Sequence, residues 1–251
     1  MFNFEHWRKV MDKLYIVMPA YNEQDNIEQV VLSWYQMLEG KDPDSKIVVA
    51  DSGSEDATHD ILFTLKKNHP QLVVLSETQK QHGPKLMALY DYAFRGGADY
   101  VFQTDSDGQT LPEEFERFWE LRKCRDAVIG YRPYRGDGRW RAFVEKVVCL
   151  LLHIIFGINV PDANAPYRLI KIVMLEKYLD RIPCDYNLPN IMLTTYFKYY
   201  EENIEFIEIT FKNRHGGRNS INVLKILKIG WNALGDFYKF RKEMIYGKRC
   251  L

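Results

Sequence analysis

Apolar runs and amphipathic stretches alternate along the first half of the chain. Short, nearly unbroken apolar runs predict four buried strands, at Leu14–Met18, Lys46–Ala50, Leu72–Leu75 and Tyr100–Gln103. Between them, apolar residues at helical spacing predict three helices, at Asp25–Leu38, Asp56–Asn68 and Pro84–Phe94. This alternation is typical of an α/β protein in which helices cover both faces of a mostly parallel sheet.

The chain has 251 residues, enough for one large domain, and no linker rich in Gly, Ser or Pro divides it. We therefore predict a single α/β domain over residues 1–221, followed by a basic amphipathic helix over residues 222–251. In that helix the apolar positions recur at three- and four-residue steps: Leu224, Leu227, Trp231, Leu234 and Tyr238. Such a helix suits either packing on the domain or contact with an anionic membrane surface.

The charges are balanced in number but not in position. The 34 Lys and Arg residues equal the 34 Asp and Glu residues, so bulk charge gives no reason to expect nucleic-acid binding. Residues 212–251, however, carry a net charge of +8, and residues 1–211 carry −8. A basic tail on an acidic body indicates that the tail meets an anionic surface or ligand, unless it is a solvated helix.

Neither the cysteines nor the apolar runs predict export or membrane insertion. The four cysteines are widely spaced and form no Cys-x-x-Cys unit, which is typical of free thiols in a reducing cytoplasm. Charged residues interrupt the N-terminal segment where a signal peptide has its apolar core. The longest run without charge, Val147–Pro161, has fifteen residues, so we expect a buried helix or an interfacial segment there.

Polar residues follow three of the predicted strands, at Tyr21–Glu23, Asp51–Ser54 and Asp105–Gln109. In parallel α/β sheets, ligands bind beyond the carboxyl ends of the strands. Asp105, Asp107 and Gln109 offer hard oxygen ligands of the kind that Mg²⁺ or Mn²⁺ prefers. An acidic surface turn would look similar, but the position at the end of a central strand favours a metal site.

The other two segments favour nucleotide binding. Asp51 can accept a hydrogen bond from the imide N–H of uracil or from the N–H groups of guanine, and Tyr21 can pack on a base or ribose. Alternatively, Asp51 and Asn22 would serve as helix N-caps. The chain lacks a P-loop, a complete dinucleotide fingerprint and a Gly-x-Ser-x-Gly elbow, which argues against three common enzyme classes.

An ordered set of segments resembles a known enzyme family. Four of them resemble the family-2 inverting glycosyltransferases, which have the GT-A fold: Pro19–Glu23, Asp51–Thr58, His82–Ala88 and Asp105–Gln109. Four later segments resemble the dolichol-phosphate mannose synthase branch, whose members transfer sugars onto polyprenyl phosphates: Gly130–Arg132, Arg139–Phe143, Asp162–Arg168 and Arg214–Ser220. The resemblance implies a GT-A domain with a C-terminal helical extension, and its specificity lies in the order of the segments.

For the donor side, the resemblance implies a GDP- or UDP-sugar and a divalent metal ion. The residues that match nucleotide-binding positions are Pro19, Tyr21, Glu23, Asp51 and Ser106. The residues that match the motif for Mg²⁺ or Mn²⁺ and the diphosphate are Asp105, Asp107 and Gln109. The arginines expected to reach the donor phosphates are Arg132, Arg214 and Arg218.

For the acceptor side, the resemblance implies a polyprenyl phosphate. Arg141 matches an arginine placed for the lipid phosphate, and Asp162 lies in a segment near the acceptor. A phosphate nucleophile needs no general base, whereas a sugar hydroxyl would need one, and Asp162 or Asp185 would then be the candidate. The residues expected to carry the chemistry are Asp105, Asp107, Arg132, Arg141 and Asp162.

Several positions depart from the family pattern, and they bear more on the acceptor than on the donor. Ser52 replaces the second aspartate after Asp51, Ala165-Pro166 replaces a Ser-Gly pair, and Glu145 replaces a serine four residues after Arg141. The negative charge of Glu145 would lie beside a lipid phosphate, so a saccharide or lipid-linked oligosaccharide acceptor in cell-surface polysaccharide synthesis remains an alternative. From another class, a non-catalytic sugar-nucleotide-binding scaffold is the second alternative.

The lipid acceptor and the basic tail together predict where the protein works. We expect a cytoplasmic protein that is peripheral on the inner face of the membrane and contacts it through the C-terminal helix. An integral membrane partner or a homo-oligomer would be compatible with this arrangement.

Overall fold

The computed structural model describes residues 11–134, 139–213 and 223–247, with side chains omitted for 139–140 and 223–232. Within these residues, seven strands form one sheet. The strands are β1 (Leu14–Ala20), β2 (Lys46–Asp51), β3 (Leu72–Leu75), β4 (Tyr100–Gln103), β5 (Ala127–Tyr131), β6 (Arg168–Lys171) and β7 (Ile204–Glu208).

Helices cover both faces of the sheet. They are α1 (Ile27–Tyr35), α2 (Thr58–Asn68), α3 (His82–Arg95), α4 (Phe115–Leu121), α5 (Arg139–Phe156), α6 (Ile172–Tyr178), α7 (Pro189–Tyr199) and α8 (Val223–Tyr246). Short 3₁₀ turns lie at Gln36–Leu38, Pro112–Glu114 and Leu179–Arg181.

The sheet is mostly parallel, as the sequence predicted. Its order is β3-β2-β1-β4-β6-β5-β7. Strands β1, β2, β3 and β4 run parallel, β5 and β7 are parallel to each other, and β6 runs antiparallel to both β4 and β5. The chain progresses from β1 outward to β3 and then returns to β4 on the other side of β1. This reversal creates the switch point at which α/β sheets bind ligands, and the ends of β1, β2 and β4 meet there.

The core lies in two layers, one on each face of the sheet. Tyr15 and Val17 of β1 pack into the layer under α3 and α7, and Leu14 and Ile16 pack into the layer under α1 and α4. Because alternate side chains of a strand point to opposite faces, a strand covered on both sides needs an unbroken apolar run. This double burial explains why the first strand was detectable as a continuous apolar run.

All four predicted strands and all three predicted helices are present, with small shifts at their ends. Strand β1 continues through Pro19 to Ala20, and helix α3 begins at His82, two residues before the predicted start. The mostly parallel α/β architecture with helices on both faces is therefore confirmed.

Helix α5, which contains the first part of Val147–Pro161, has one buried apolar side and one exposed apolar side. Leu152 and Phe156 are buried in the core. On the opposite side, four large apolar side chains are between 39% and 68% exposed: Phe143, Val147, Leu150 and Ile154. We call these four residues the α5 stripe. Among the described residues, no helix is both long and apolar enough to cross a membrane.

Helix α8 packs on the core through a different face from the predicted stripe. The buried residues of its described half are Ala233, Phe237, Phe240 and Met244. The ring of Phe237 lies 6.0 Å from that of Phe156 on α5. Tyr238, which the predicted stripe included, is 64% exposed, so this residue does not pack on the domain, and contact of the stripe with a membrane stays a prediction. The predicted positions Leu224, Leu227 and Trp231 lie outside the described side chains.

Substitution of Phe237 tests whether α8 is part of the folded domain. Because Phe237 is buried against Phe156, Phe237→Ala should lower the free energy of unfolding by about 3–5 kcal/mol in urea denaturation. The matched control is Tyr238→Ala, the exposed neighbour, for which we expect a change within about 0.5 kcal/mol. Equal, small effects of the two substitutions would mean that α8 is not packed on the core.

Candidate nucleotide and metal site

The loops after β1 and β2 are joined to each other by hydrogen bonds. The backbone N–H of Asn22 donates to Ser54 Oγ (3.0 Å), and the N–H of Glu55 donates to Asn22 Oδ1 (2.8 Å). The N–H of Glu23 donates to Thr58 Oγ1 (2.8 Å). Asn22 has a φ of 54°, a left-handed conformation that asparagine tolerates better than most residues. The two loops therefore form one surface beyond the sheet.

Neither Asn22 nor Asp51 is a helix N-cap, so that alternative is wrong. The N-cap residues of α1 and α2 are Asn26 and Ala57, and neither makes a side-chain capping bond. Asn22 instead bonds the neighbouring loop. Asp51 is the last residue of β2, too far ahead of α2 to cap it.

The carboxylate of Asp51 lies just below the protein surface. Its side chain is only 1% exposed. Ser54 Oγ donates a hydrogen bond to Oδ1 at 2.5 Å, and His59 Nδ1 lies 3.1 Å from Oδ2. Both oxygens of the predicted base-binding carboxylate thus already have partners within the protein.

Ser52 holds the β2 loop against the segment after β3. Its hydroxyl donates to the carbonyl of Ser76 (2.9 Å) and accepts a hydrogen bond from the N–H of Thr78 (2.9 Å). The residue that replaces an expected second aspartate is therefore used for bonding between loops.

The first turn of α3 enters the same region, which the sequence did not predict. Lys85 is 1% exposed, and its Nζ donates to the carbonyl of Ala20 at 2.5 Å. The ammonium lies 5.4 Å from the centre of the Tyr21 ring, a distance typical of a cation–π contact. Burial lowers the pKa of Lys85 to about 8, against the opposing attraction of Asp51. Lys85 therefore lies in the protein interior next to the Tyr21 ring, and its charge interacts with the carboxylate of Asp51.

A glycine allows α3 to start at this position. A Cβ atom on Gly83 would lie 2.2 Å from the carbonyl oxygen of Tyr186, so any other residue would push the helix away from the loop before α7. His82, which precedes it, is electrostatically coupled to both Lys85 and Asp107. The start of α3 therefore lies between the Asp51 region and the Asp105–Gln109 loop.

The Asp105–Gln109 loop is attached to β1 by one buried hydroxyl. Ser106 Oγ donates to the carbonyl of Pro19 at 2.8 Å. Within the loop, the N–H of Gln109 donates to Asp107 Oδ1 (3.1 Å), and Gly108 has a φ of 72°, which favours glycine. The structure thus brings together the predicted nucleotide residue Pro19 and the predicted metal loop.

Gln109 also anchors the segment that follows β7. Its Nε2 donates to the carbonyl of Lys212 (2.7 Å), and the N–H of Lys212 donates to the carbonyl of Gln109 (2.8 Å). Since the amide nitrogen is used in this way, the amide oxygen is the atom of Gln109 suited to a cation. The predicted phosphate-binding residues Arg214 and Arg218 lie outside the described residues.

The residues of this loop fit a hard divalent cation. Asp105 and Asp107 supply carboxylates and Gln109 supplies an amide oxygen, the ligand types that Mg²⁺ and Mn²⁺ prefer. Within the described part of the chain, no group of three or more His, Cys, Asp and Glu side chains is arranged to hold a metal. Mg²⁺ commonly needs only one or two protein carboxylates, because water and substrate phosphates complete its coordination.

Arg132 and Asp162 form a buried ion pair with each other. Arg132 Nε and Nη2 donate to the two carboxylate oxygens of Asp162 at 2.7 and 3.0 Å. The two side chains are 5% and 3% exposed, and the guanidinium lies 5.0 Å from the centre of the Phe211 ring. Burial acts to lower the pKa of Arg132, but the charge and hydrogen bonds of Asp162, together with the negative charges of Glu145 and Asp105, raise this pKa. The carboxylate of Asp162 is therefore paired with the guanidinium of Arg132, whereas Asp185 is exposed in the loop before α7.

Two charged residues, one half-buried and one fully buried, hold the loop that contains Asp162. Glu145 on α5 accepts a hydrogen bond from the N–H of Ala163 at 2.8 Å. Arg168, which is fully buried, donates to the carbonyls of Ala165 (2.9 Å) and Asn190 (3.1 Å). Glu145 thus faces the loop from the helix that carries Arg141, which is half-buried one turn earlier.

Comparison with known sequences gives one family and a set of partial relatives. The family described as glycosyl transferase family 2 matches residues 15–242. An undecaprenyl-phosphate mannosyltransferase of Micrococcus luteus is 30% identical over 158 residues, which are 61% of this chain and 63% of that protein. An undecaprenyl-phosphate 4-deoxy-4-formamido-L-arabinose transferase of Pseudomonas syringae pv. syringae is 27% identical over 168 residues, 65% of this chain and 49% of that protein. The chain thus spans less than two thirds of these relatives.

Solved structures share the fold. Glucosyl-3-phosphoglycerate synthase from Mycobacterium tuberculosis, in complex with Mn²⁺, UDP and phosphoglyceric acid, matches with a TM-score of 0.68 and 16% identity. The match covers 90% of this chain and 78% of that chain. The same enzyme with Mn²⁺ and UDP-glucose matches with a TM-score of 0.67 and 16% identity, covering 92% and 79% of the two chains. At this identity the likeness shows the fold alone, and it confirms the GT-A architecture.

Because Arg132 and Asp162 form a buried pair, we expect removal of one partner to destabilise the protein more than replacement of both. Asp162→Ala leaves a buried guanidinium without its carboxylate, so we expect the free energy of unfolding to fall by about 3–5 kcal/mol. Replacing both residues, as Arg132→Met with Asp162→Leu, should recover much of this loss, because an apolar pair needs no desolvation of charge.

Urea denaturation of the single variant and of the double variant measures these changes. The matched control is Asp91→Ala, which breaks the exposed pair of Asp91 and Arg95 and should cost less than about 1 kcal/mol. A loss for Asp162→Ala no larger than that for Asp91→Ala would contradict a buried, mutually dependent pair.

Proposed function

This chain belongs to glycosyl transferase family 2, and from that premise we propose that it transfers a sugar from a nucleoside diphosphate sugar to a polyprenyl phosphate. The observation that carries the proposal is the convergence of Asp51 with the Asp105–Gln109 loop at the switch point of the sheet. Asp51 suits a nucleoside, and the Asp105–Gln109 loop suits a metal-bound diphosphate. The names of the undecaprenyl-phosphate transferases to which the chain is similar support the acceptor class.

The donor would lie across the ends of β1, β2 and β4. Tyr21 is 39% exposed, and in this proposal it packs on the nucleoside while Pro19 and Glu23 shape the loop beneath it. Mg²⁺ or Mn²⁺, held by Asp105, Asp107 and Gln109, would supply positive charge that stabilises the diphosphate leaving group.

Arginines would surround the donor phosphates. A guanidinium has five N–H groups, and Asp162 accepts hydrogen bonds from two nitrogens of Arg132, so Arg132 retains N–H groups for a phosphate. Arg214 and Arg218 would approach from the segment that Gln109 anchors at Lys212. Charge-assisted bonds of this kind stabilise a developing anion.

The acceptor would attack with an oxygen that is already ionised. A phosphate monoester carries negative charge near neutral pH, so the chain needs no general base for this nucleophile. The engagement of Asp162 by Arg132 agrees with this, because a carboxylate held by two guanidinium bonds is poorly placed to take a proton. A single displacement at the anomeric carbon then inverts its configuration, and Arg141 would bind the acceptor phosphate.

The α5 stripe supports a lipid acceptor over a saccharide. Exposed apolar patches on a soluble surface commonly mark contacts with lipid or protein. Beside the stripe is a cavity of about 390 Å³ lined by Cys149, Leu150, His153, Asn159, Val160 and Pro161. Its last two residues lead into the Asp162 loop, so a lipid chain on α5 would have its phosphate end near Arg141 and Asp162. Glu145, which argued for a saccharide acceptor, bonds Ala163 instead.

Membrane attachment completes the proposal. Lys239 and Lys242 are exposed on α8 beside the exposed Tyr238, a combination that suits an anionic lipid surface. We propose that the protein is peripheral on the cytoplasmic face of the membrane, with α8 packed on the domain and its basic side facing lipid. An integral partner or a second copy of the chain would be compatible with this placement.

The direct test is a transfer assay with the full chain. A panel of labelled UDP- and GDP-sugars is incubated with Mn²⁺ and polyprenyl phosphate, and the extracted lipid is counted. Labelled lipid from one donor is expected. Label found only on an added saccharide would favour the alternative acceptor, and donor binding without transfer to either would favour the non-catalytic scaffold.

Substitution of Asp107 tests the metal assignment. Asp107→Ala should reduce transfer at saturating Mn²⁺ by at least about 100-fold, because the leaving group loses its main charge stabilisation. Asp44→Ala is the matched control, since Asp44 is an exposed carboxylate before β2, at the other end of the strands. Full activity of Asp107→Ala would refute the metal assignment.

Charges placed on the α5 stripe test the lipid assignment. The double variant Leu150→Glu with Ile154→Glu should raise KM for undecaprenyl phosphate in vesicles at least about tenfold, because two apolar contacts are lost. KM for a short, water-soluble polyprenyl phosphate should stay unchanged. Val173→Glu on α6 is the control, since Val173 is as exposed as Leu150. Equal loss with both acceptors would contradict a role of the stripe in binding the lipid chain.

A further inference from the structure

The pair formed by Asp51 and His59 divides into a buried part and an accessible part. The Asp51 side chain is 1% exposed, whereas the His59 side chain is 45% exposed. Ser54 occupies one carboxylate oxygen and His59 the other. A ligand that approaches the end of β2 therefore meets the imidazole rather than the carboxylate.

The hydrogen bond between them fixes which imidazole nitrogen carries the proton. A carboxylate oxygen can only accept, so Nδ1 of His59 donates to Asp51 at 3.1 Å. In the neutral ring, Nε2 is then left as a hydrogen-bond acceptor. The ring also lies against Phe63, with their centres 4.5 Å apart, which restricts its rotation.

The surroundings of this pair suit a nucleobase. Tyr21 presents a partly exposed ring on the neighbouring loop, and Lys85 lies behind that ring with its charge coupled to Asp51. Tyr21 lies in the loop after β1 and His59 lies in the first turn of α2, and the hydrogen bonds of Asn22 and Thr58 join these two segments. An aromatic face for stacking and a fixed acceptor for the base edge are the two elements of base recognition.

From this geometry we infer that His59 determines base specificity, its Nε2 accepting a hydrogen bond from a ring N–H of the donor nucleobase, and that Asp51 positions it by fixing the tautomer. The inference rests on the proposed function and deepens it. Uracil and guanine carry a ring N–H on the edge where cytosine and adenine carry an acceptor nitrogen. The site should therefore prefer UDP over CDP and GDP over ADP.

Calorimetric titration of the full chain with the four nucleoside diphosphates tests the specificity. We expect wild type to bind the member with the ring N–H about tenfold more tightly in at least one matched pair. His59→Ala should bring that ratio to within about twofold, and His59→Gln, whose amide oxygen can accept at a similar position, should restore part of it. His69→Ala is the matched control, because His69 directly follows the far end of α2 and bonds the carbonyl of Leu65.

Nuclear magnetic resonance tests the positioning role separately. Nitrogen-15 spectra of the histidine side chains should find His59 of the free chain protonated on Nδ1, and Asp51→Ala should move the proton toward Nε2. A wild-type ring protonated on Nε2 alone would overturn the inference.

The outcomes separate this inference from the function beneath it. If wild type shows the base preference and His59→Ala retains it, the inference fails while donor binding stands. If wild type binds none of the four nucleotides, the proposed function fails and the inference fails with it.

Discussion

The loops after β1, β2 and β4 hold one another in place through hydrogen bonds, and the candidate site depends on this constraint. A parallel sheet brings the three loops to one edge, but it does not fix their mutual distances. Asn22 and Ser54 join the first loop to the second, and Ser106 joins the third to Pro19. These bonds connect buried or half-buried polar groups that would otherwise lose their water without replacement. The groups assigned to nucleoside and metal therefore behave as one preorganised unit.

The proposed acceptor side is built on a different physical basis, paired charges with restricted exposure. Arg132, Asp162, Glu145 and Arg168 lie close together with little exposure, and each engages a loop backbone or an opposite charge. Such groups require exact partners, because an unpaired charge in this environment is far less stable than in water. Under the proposed function, a phosphate that enters this region would meet charged groups whose positions are already fixed by these contacts. The two proposed sides meet at Arg132. Its guanidinium binds Asp162 on the acceptor side, and the proposed function assigns it to the phosphates of the donor.

The sequence predicted those features whose signal is local. Strand β1 was detectable because Leu14 to Val17 alternate between two core layers, and Asp105 and Asp107 stood out because they follow a strand directly. Lys85 was missed because its partner, Ala20, is 65 residues away and nothing local marks a buried ammonium.

Features set by packing were harder to predict. The bond between Arg132 and Asp162 was missed because their partnership has no local pattern, although each residue was singled out. On α8, two sets of apolar residues satisfy helical spacing, and only the contact between Phe237 and Phe156 decides which set is buried.

The two-sided character of α5 has a consequence for the orientation of the whole molecule. Leu152 and Phe156 are buried in the core, so the helix cannot rotate about its axis. The direction in which Leu150 and Ile154 face is therefore fixed as well. If that side rests on a bilayer, the packing of these core residues determines the tilt of the sheet relative to the membrane plane, although the core residues themselves do not contact lipid. A substitution that changes the packing beneath α5 would then change the orientation of the domain on the membrane, even where the groups of the site keep their positions.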